Sequence, residues 1–162
     1  MLKILKFMGG VAVITASMAL TAHAESVVNV SLIDKAGSTD LSKSMNLGLG
    51  MKGDMNLAKM AINANPATVS RGEVKFNVTN LASALVHEVI LARVTDENEI
   101  LAYDAATNEV DEKTIQTLGQ LAEIDPSKSA SMTLELIPGK YILYCNYAGH
   151  FMAGMWTVIE VK

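Results

Sequence analysis

One cysteine and three histidines are all the thiol and imidazole chemistry that 162 residues carry, and aromatic residues make up only 5%. Each scarcity excludes something. A single thiol cannot close an intramolecular disulfide. Three histidines are too few for several copper centres, as a multicopper oxidase or a copper nitrite reductase needs, and too few for a metal site beside a histidine-dependent hydrolase. Basic residues are the minority, 13 Lys and Arg against 17 Asp and Glu. A nucleic acid, whose phosphates need a basic face, is therefore not an expected partner.

Hydrophobic runs are also short. The longest covers residues 7–20, behind Lys3 and Lys6, and closes on Ala22-His23-Ala24. A positive start, an apolar stretch and a small-x-small ending form a secretory leader. The run is short for a bilayer-spanning anchor. Residues 1–24 are thus expected to be a signal peptide, with a mature chain from about Glu25 in the periplasm and no membrane span left after cleavage. Losing Lys3 and Lys6 takes the formal charge from −4 to −6, and His23 goes with them. Residues 25–162 have the length of one domain with a single core. In an exported protein a free thiol is exposed to oxidation. Alone it reads as a small buried hydrophobe; its neighbours point elsewhere.

Those neighbours lie in Cys145-Asn146-Tyr147-Ala148-Gly149-His150-Phe151-Met152-Ala153-Gly154-Met155. A thiolate, an imidazole and thioethers in one short loop form a soft ligand set, suited to copper more than to zinc, calcium or magnesium. His87 is the other histidine of the mature chain, so every His and Cys there can serve one site. Two imidazoles and a thiolate make a trigonal set, and an axial thioether completes a blue-copper, type 1 arrangement. Met152 competes for the axial position. Met155 is preferred because it shares a face with Thr157, Ile159 and Val161 of the last strand. The expected ligands are His87, Cys145, His150 and Met155, holding one copper ion.

The rest of the chain reads as their frame. Strands are expected at residues 27–33, 60–64, 73–79, 85–91, 131–137, 141–145 and 155–161, from period-two alternation or short apolar runs bounded by turn residues. Residues 85–91 are apolar on both faces and so belong at the centre of a sheet, with His87 pointing inward beside Leu85, Val89 and Leu91. Cys145 and Met155 flank the mouth of one antiparallel hairpin. A short helix is expected about residues 112–121. Residues 36–58 read as a mobile loop or irregular helix rich in Gly, Ser and Asn; Met45, Met51, Met55 and Met60 run along or just beyond it. Many short strands and little helix predict an all-β sandwich or Greek-key barrel.

Gly139-Lys140-Tyr141-Ile142-Leu143-Tyr144-Cys145, continued as Cys-x4-His-x4-Met, resembles the copper-binding end of the cupredoxins, the plastocyanin and azurin superfamily. Residues 66–91 resemble the strand pair that delivers the first ligand histidine there. The resemblance covers about residues 60–162. It implies a Greek-key β-sandwich with His87, Cys145, His150 and Met155 as ligands. The loop spacing is nearer to rusticyanin and auracyanin than to plastocyanin or azurin. Two departures stand out. Plastocyanin and azurin carry Asn after the first ligand histidine, tying the two ligand segments together, where this chain has Glu88; and no Pro precedes His150. The backbone N–H groups of Glu88 and Tyr147 are expected to donate to the thiolate and tune the site.

Two functions follow. One is a single-electron carrier that docks briefly on a redox partner, its acidic surface matched to a basic one. The other is a copper-tolerance protein that sequesters copper or hands it on, as His87-Glu88 and the Gly154-Met155-Trp156 ending resemble periplasmic cupredoxin-like proteins of that kind. The methionine series would then supply thioethers for Cu(I), or else fill irregular core gaps. An enzyme is not expected.

Overall fold

The computed structural model describes residues 25–34, 41 and 45–162. The leader and parts of the 36–58 segment lie outside the described residues. Strand β1 (Ser26–Asp34) is followed by β2 (Met60–Asn65), β3 (Thr68–Val69), β4 (Gly72–Asn80) and β5 (His87–Val94). A small hairpin, β6 (Tyr103–Asp104) and β7 (Glu109–Val110), precedes β8 (Thr117–Ile124), β9 (Ser129–Leu136), β10 (Gly139–Tyr144) and β11 (Trp156–Val161). Two sheets face each other, in the orders β2-β1-β4-β9 and β3-β11-β10-β5-β8. The pairings are antiparallel except β1 with β4 and β11 with β3. This is the all-β sandwich expected of a cupredoxin.

Alternation builds the inner layer. In β4, Val74, Phe76 and Val78 are fully buried while Glu73, Lys75, Asn77 and Thr79 face outward. They meet Val28, Val30 and Leu32 of β1 and, from the other sheet, Val89, Leu91, Tyr141, Leu143, Ile159 and Val161. The middle strands β5 and β10 are buried on both faces, as their unbroken apolar runs require. Their outer faces, Ile90, Ala92, Ile142 and Tyr144, are covered by Leu49, Leu101, Val110, Phe151 and Met152.

That outer cover explains the glycine-rich segment. Among its described residues the only regular piece is a 3-10 turn, Met55–Leu57. Leu47 and Leu49 are nevertheless 1% and 0% exposed, each stabilising its position by roughly 2–3 kcal/mol. Two hydrogen bonds add to this: Trp156 Nε1–H donates to the Leu47 carbonyl at 2.6 Å, and the Leu47 N–H to the Met152 carbonyl at 3.2 Å. The described part of the segment is mostly irregular but is pinned to the ligand loop.

The helix expected about residues 112–121 is not formed. A 3-10 turn, Glu112–Thr114, is capped by the Asp111 side chain and leads into the edge strand β8. Leu118, Leu121 and Ile124 all pack on the inner core, a spacing of three that imitates a helical stripe. Register shifts between His87 and Val89 and between Leu91 and Ala92 allow a strand to show that spacing.

Candidate metal centre

His87 opens β5, Cys145 follows β10 directly, His150 lies in the connecting loop, and Met155 precedes β11. The loop is closed by main-chain bonds: Cys145 N–H to the Met155 carbonyl at 3.1 Å, and both Met155 and Ala153 N–H to the His150 carbonyl at 3.1 Å. A 3-10 turn, Phe151–Ala153, ends at Gly154 with φ of 93°. A Cβ at Gly154 would sit 2.8 Å from the Ala58 Cβ, so both the left-handed conformation and the space call for glycine. The turn sends Met152 into the outer cluster, whereas Met155 lies in the inner core with Cys145.

The sequence-predicted histidines and cysteine converge. Cys145 Sγ lies 3.3 Å from His150 Nδ1 and 4.0 Å from His87 Nδ1, and the two Nδ1 atoms are 3.3 Å apart. Donors roughly 2.0–2.3 Å from one ion in a trigonal plane would be about 3.5–3.8 Å from each other. The triangle therefore fits one ion. It is also the only group of three or more His, Cys, Asp or Glu side chains among the described residues whose donor atoms converge in this way. All three are buried, with His87 and Cys145 at 0% exposure and His150 at 7%.

Burial sets the electrostatics. It pushes the Cys145 thiol up to about 12, against the pull of N–H groups from Glu88 and Tyr147 on the sulfur. The same desolvation lowers His87 to about 4, with His150 adding in that direction and Asp34 opposing. His150 is lowered as well, again by burial against Asp34. The cavity thus disfavours a thiolate or an imidazolium standing alone. A cation bound by neutral imidazoles and a thiolate removes that conflict. His87 Nε2 has no hydrogen-bond partner among the described residues.

Two asparagines that sequence reasoning passed over hold the ligands in place. Asn80 is fully buried; its Nδ2 donates to the Leu85 and Ile124 carbonyls at 2.9 and 2.8 Å, and its Oδ1 accepts from Ala82 N–H at 2.9 Å. It fixes the loop that leads to His87. Its signal was present: it continues the inward parity of Val74, Phe76 and Val78. Asn146, beside Cys145, exchanges bonds with both main-chain groups of Val110 at 2.7 and 3.1 Å and donates to Glu112 at 2.8 Å. Gly149 N–H donates to the Asn108 carbonyl at 2.7 Å. The β6–β7 hairpin therefore braces the ligand loop twice. The tie between ligand segments, which the resemblance to plastocyanin and azurin would assign to an Asn, is made here by Glu88, whose Oε1 accepts from Asn146 N–H at 3.0 Å.

The methionine series is divided. Met60 is in the inner core, Met45 packs against it, Met51 packs on the outer cluster, and Met55 is exposed. Beside His150 an open depression of about 380 Å³ is lined by Leu85, Val86, Glu123, Asp125 and Tyr147. A larger one of about 470 Å³, between Arg71 and Pro138, lies at the far end of the sandwich and holds none of these ligands.

A two-sheet sandwich carrying one buried His-Cys-His cluster at one end defines a small copper protein of the type 1 class. The chain belongs to the family of copper-binding proteins that includes plastocyanin and azurin, whose model matches residues 49–162. Rusticyanin from Thiobacillus ferrooxidans is similar in fold, with 15% identity, a TM-score of 0.53, and coverage of 87% of this chain and 79% of that one. So is auracyanin A, a blue copper protein from Chloroflexus aurantiacus, with 15% identity, a TM-score of 0.52, and coverage of 86% and 100%. No curated protein sequence matches the chain. The residues present fit a single type 1 copper centre.

Proposed function

We propose that this chain is an exported single-electron carrier whose copper is held by His87, Cys145 and His150, with Met155 as the axial thioether. The convergence of the three buried donors within 3.3–4.0 Å of one another carries the reading. Copper bound there supplies a Cu(I)/Cu(II) couple. The work of the chain is to keep the donors in place through that change. Cys145, His150 and Met155 share one hydrogen-bonded loop, and His87 is set by the Asn80 brace. Donors that hardly move keep the reorganisation cost of electron exchange low. His150 borders the open depression, where half-buried Leu85, Val86 and Tyr147 meet exposed Glu123 and Asp125. That mixture suits a transient redox partner with a basic rim. The leader pattern in residues 1–24 supports a periplasmic location, and among the described residues no helix is long and apolar enough to cross a membrane.

The copper-handling alternative leans on the methionines. Their distribution weakens it, because Met60 is committed to the core and Met45 and Met51 pack against the two hydrophobic layers. Protein-film voltammetry separates the two functions. A reversible one-electron wave, with copper content unchanged over many cycles, is expected of the carrier. Loss of copper on each reduction would favour sequestration or delivery.

A further inference from the structure

Residues 45–53 fold into a closed loop that carries two thioethers. Met51 N–H donates to the Gly48 carbonyl at 3.0 Å, and Gly50 turns the chain at a φ of 72°. The loop is tightly seated. A Cβ at Gly48 would lie 2.6 Å from the Phe151 ring, and one at Gly53 would run into the Asn46 carbonyl, where the loop closes on itself. Met45 and Met51 stand on either side of the turn. Both line one open depression of about 430 Å³, together with Asn46, Lys52 and Gly53. Each methionine is half-buried. Met45 packs on the inner core and Met51 on the outer cluster, while both remain open to the depression.

The chemistry of this lining is selective. It offers no carboxylate, imidazole or thiol, so zinc, calcium and magnesium find none of the side chains that usually hold them. The exposed Lys52 ammonium works against any ion held mainly by charge. Two thioethers favour a soft ion, Cu(I) above all. Met60, at 0% exposure, is a core filler; Met45 and Met51 differ from it in standing at an opening.

We propose that Met45 and Met51 form a second, surface site for Cu(I), separate from the His87-Cys145-His150 cluster and seated against its loop through Gly48 and Phe151. The ion enters and leaves as Cu(I), with no change of oxidation state. A thioether has no proton to lose, so binding here does not weaken as pH falls, whereas imidazole and thiol sites do. The site goes beyond the carrier reading and does not depend on it.

The test uses protein with one equivalent of copper at the buried cluster, kept reduced, and adds Ag(I) as a redox-silent stand-in for Cu(I). Carbon-13 methyl labels on the methionines report each sulfur by NMR. Shifts of the Met45 and Met51 methyls that saturate at one added equivalent, equally at pH 7 and pH 5, are expected, with Met55, Met60 and Met155 unmoved. Met45→Leu and Met51→Leu conserve volume; each is expected to lose the added equivalent, and Met55→Leu to keep it. The proposal is overturned if no methyl shifts, if only Met55 or Met155 responds, or if both Leu variants still bind the added ion. Where a Leu variant does not fold, the methyl shifts of the parent decide. A parent that takes up no copper at the buried cluster would sink the carrier reading, and the Met45 and Met51 shifts would still decide this one.

Discussion

At the residue scale, the centre is governed by what burial does to three titrating side chains. The Cys145 thiol, pushed up to about 12, is protonated at neutral pH in the copper-free protein, yet a metal takes the thiolate. Loading should therefore release about one proton per copper at pH 7. Calorimetric titrations in buffers of different ionisation enthalpy read that number directly, and a value near zero would mean that the thiol is not a ligand. The histidines give a second expectation. His87 is lowered from 6.5 to about 4, so between those values the unfolded chain binds more protons than the folded one. Its contribution is fully present above pH 6.5 and is lost as pH falls towards 4. The loss amounts to ~3 kcal/mol at ~1.4 kcal/mol per pKa unit. His150 acts in the same direction, and Glu88, raised by burial, offsets part of it. Urea unfolding of the copper-free protein from pH 7 to pH 4 should show this decline. Replacing His87 with Gln should flatten it.

At the scale of elements, what could be read in advance followed from how strictly side chains repeat. Strand β4 was legible because Val74, Phe76 and Val78 alternate with polar residues, and β10 with β11 because Cys145 and Met155 bracket one loop. Strand β8 was not, because its bulged pairing with β5 spaces Leu118, Leu121 and Ile124 as a helix would. That His87, Cys145 and His150 come together was legible too. The braces were not, because hydrogen bonds from Asn80 to residues 85 and 124 and from Asn146 to Val110 join segments remote in sequence. Asn80 gives the element-scale prediction. Asn80→Ala removes side-chain bonds to the Leu85 and Ile124 carbonyls and to the buried Ala82 N–H, and should destabilise the copper-free fold by ~3 kcal/mol. It should also broaden the metal's spectroscopic signature, because the loop before His87 loses its anchor. Equilibrium unfolding beside EPR linewidth checks both effects. An unchanged linewidth in a destabilised variant would confine Asn80 to fold stability.

At the scale of the whole molecule, the sandwich places three buried donors at one end, and hydrogen bonds from both sheets and from the β6–β7 hairpin fix the frame around them. The donor triangle is already formed by the protein's own packing, which is what a carrier that changes charge without changing shape requires. The most direct test is the visible absorption and EPR spectrum of the protein with one equivalent of Cu(II), measured beside Cys145→Ser. An intense blue or green charge-transfer band, present in the parent and gone in the variant, is the expected result. A parent that stays colourless, or a band that survives the loss of Cys145, would contradict a thiolate–copper centre.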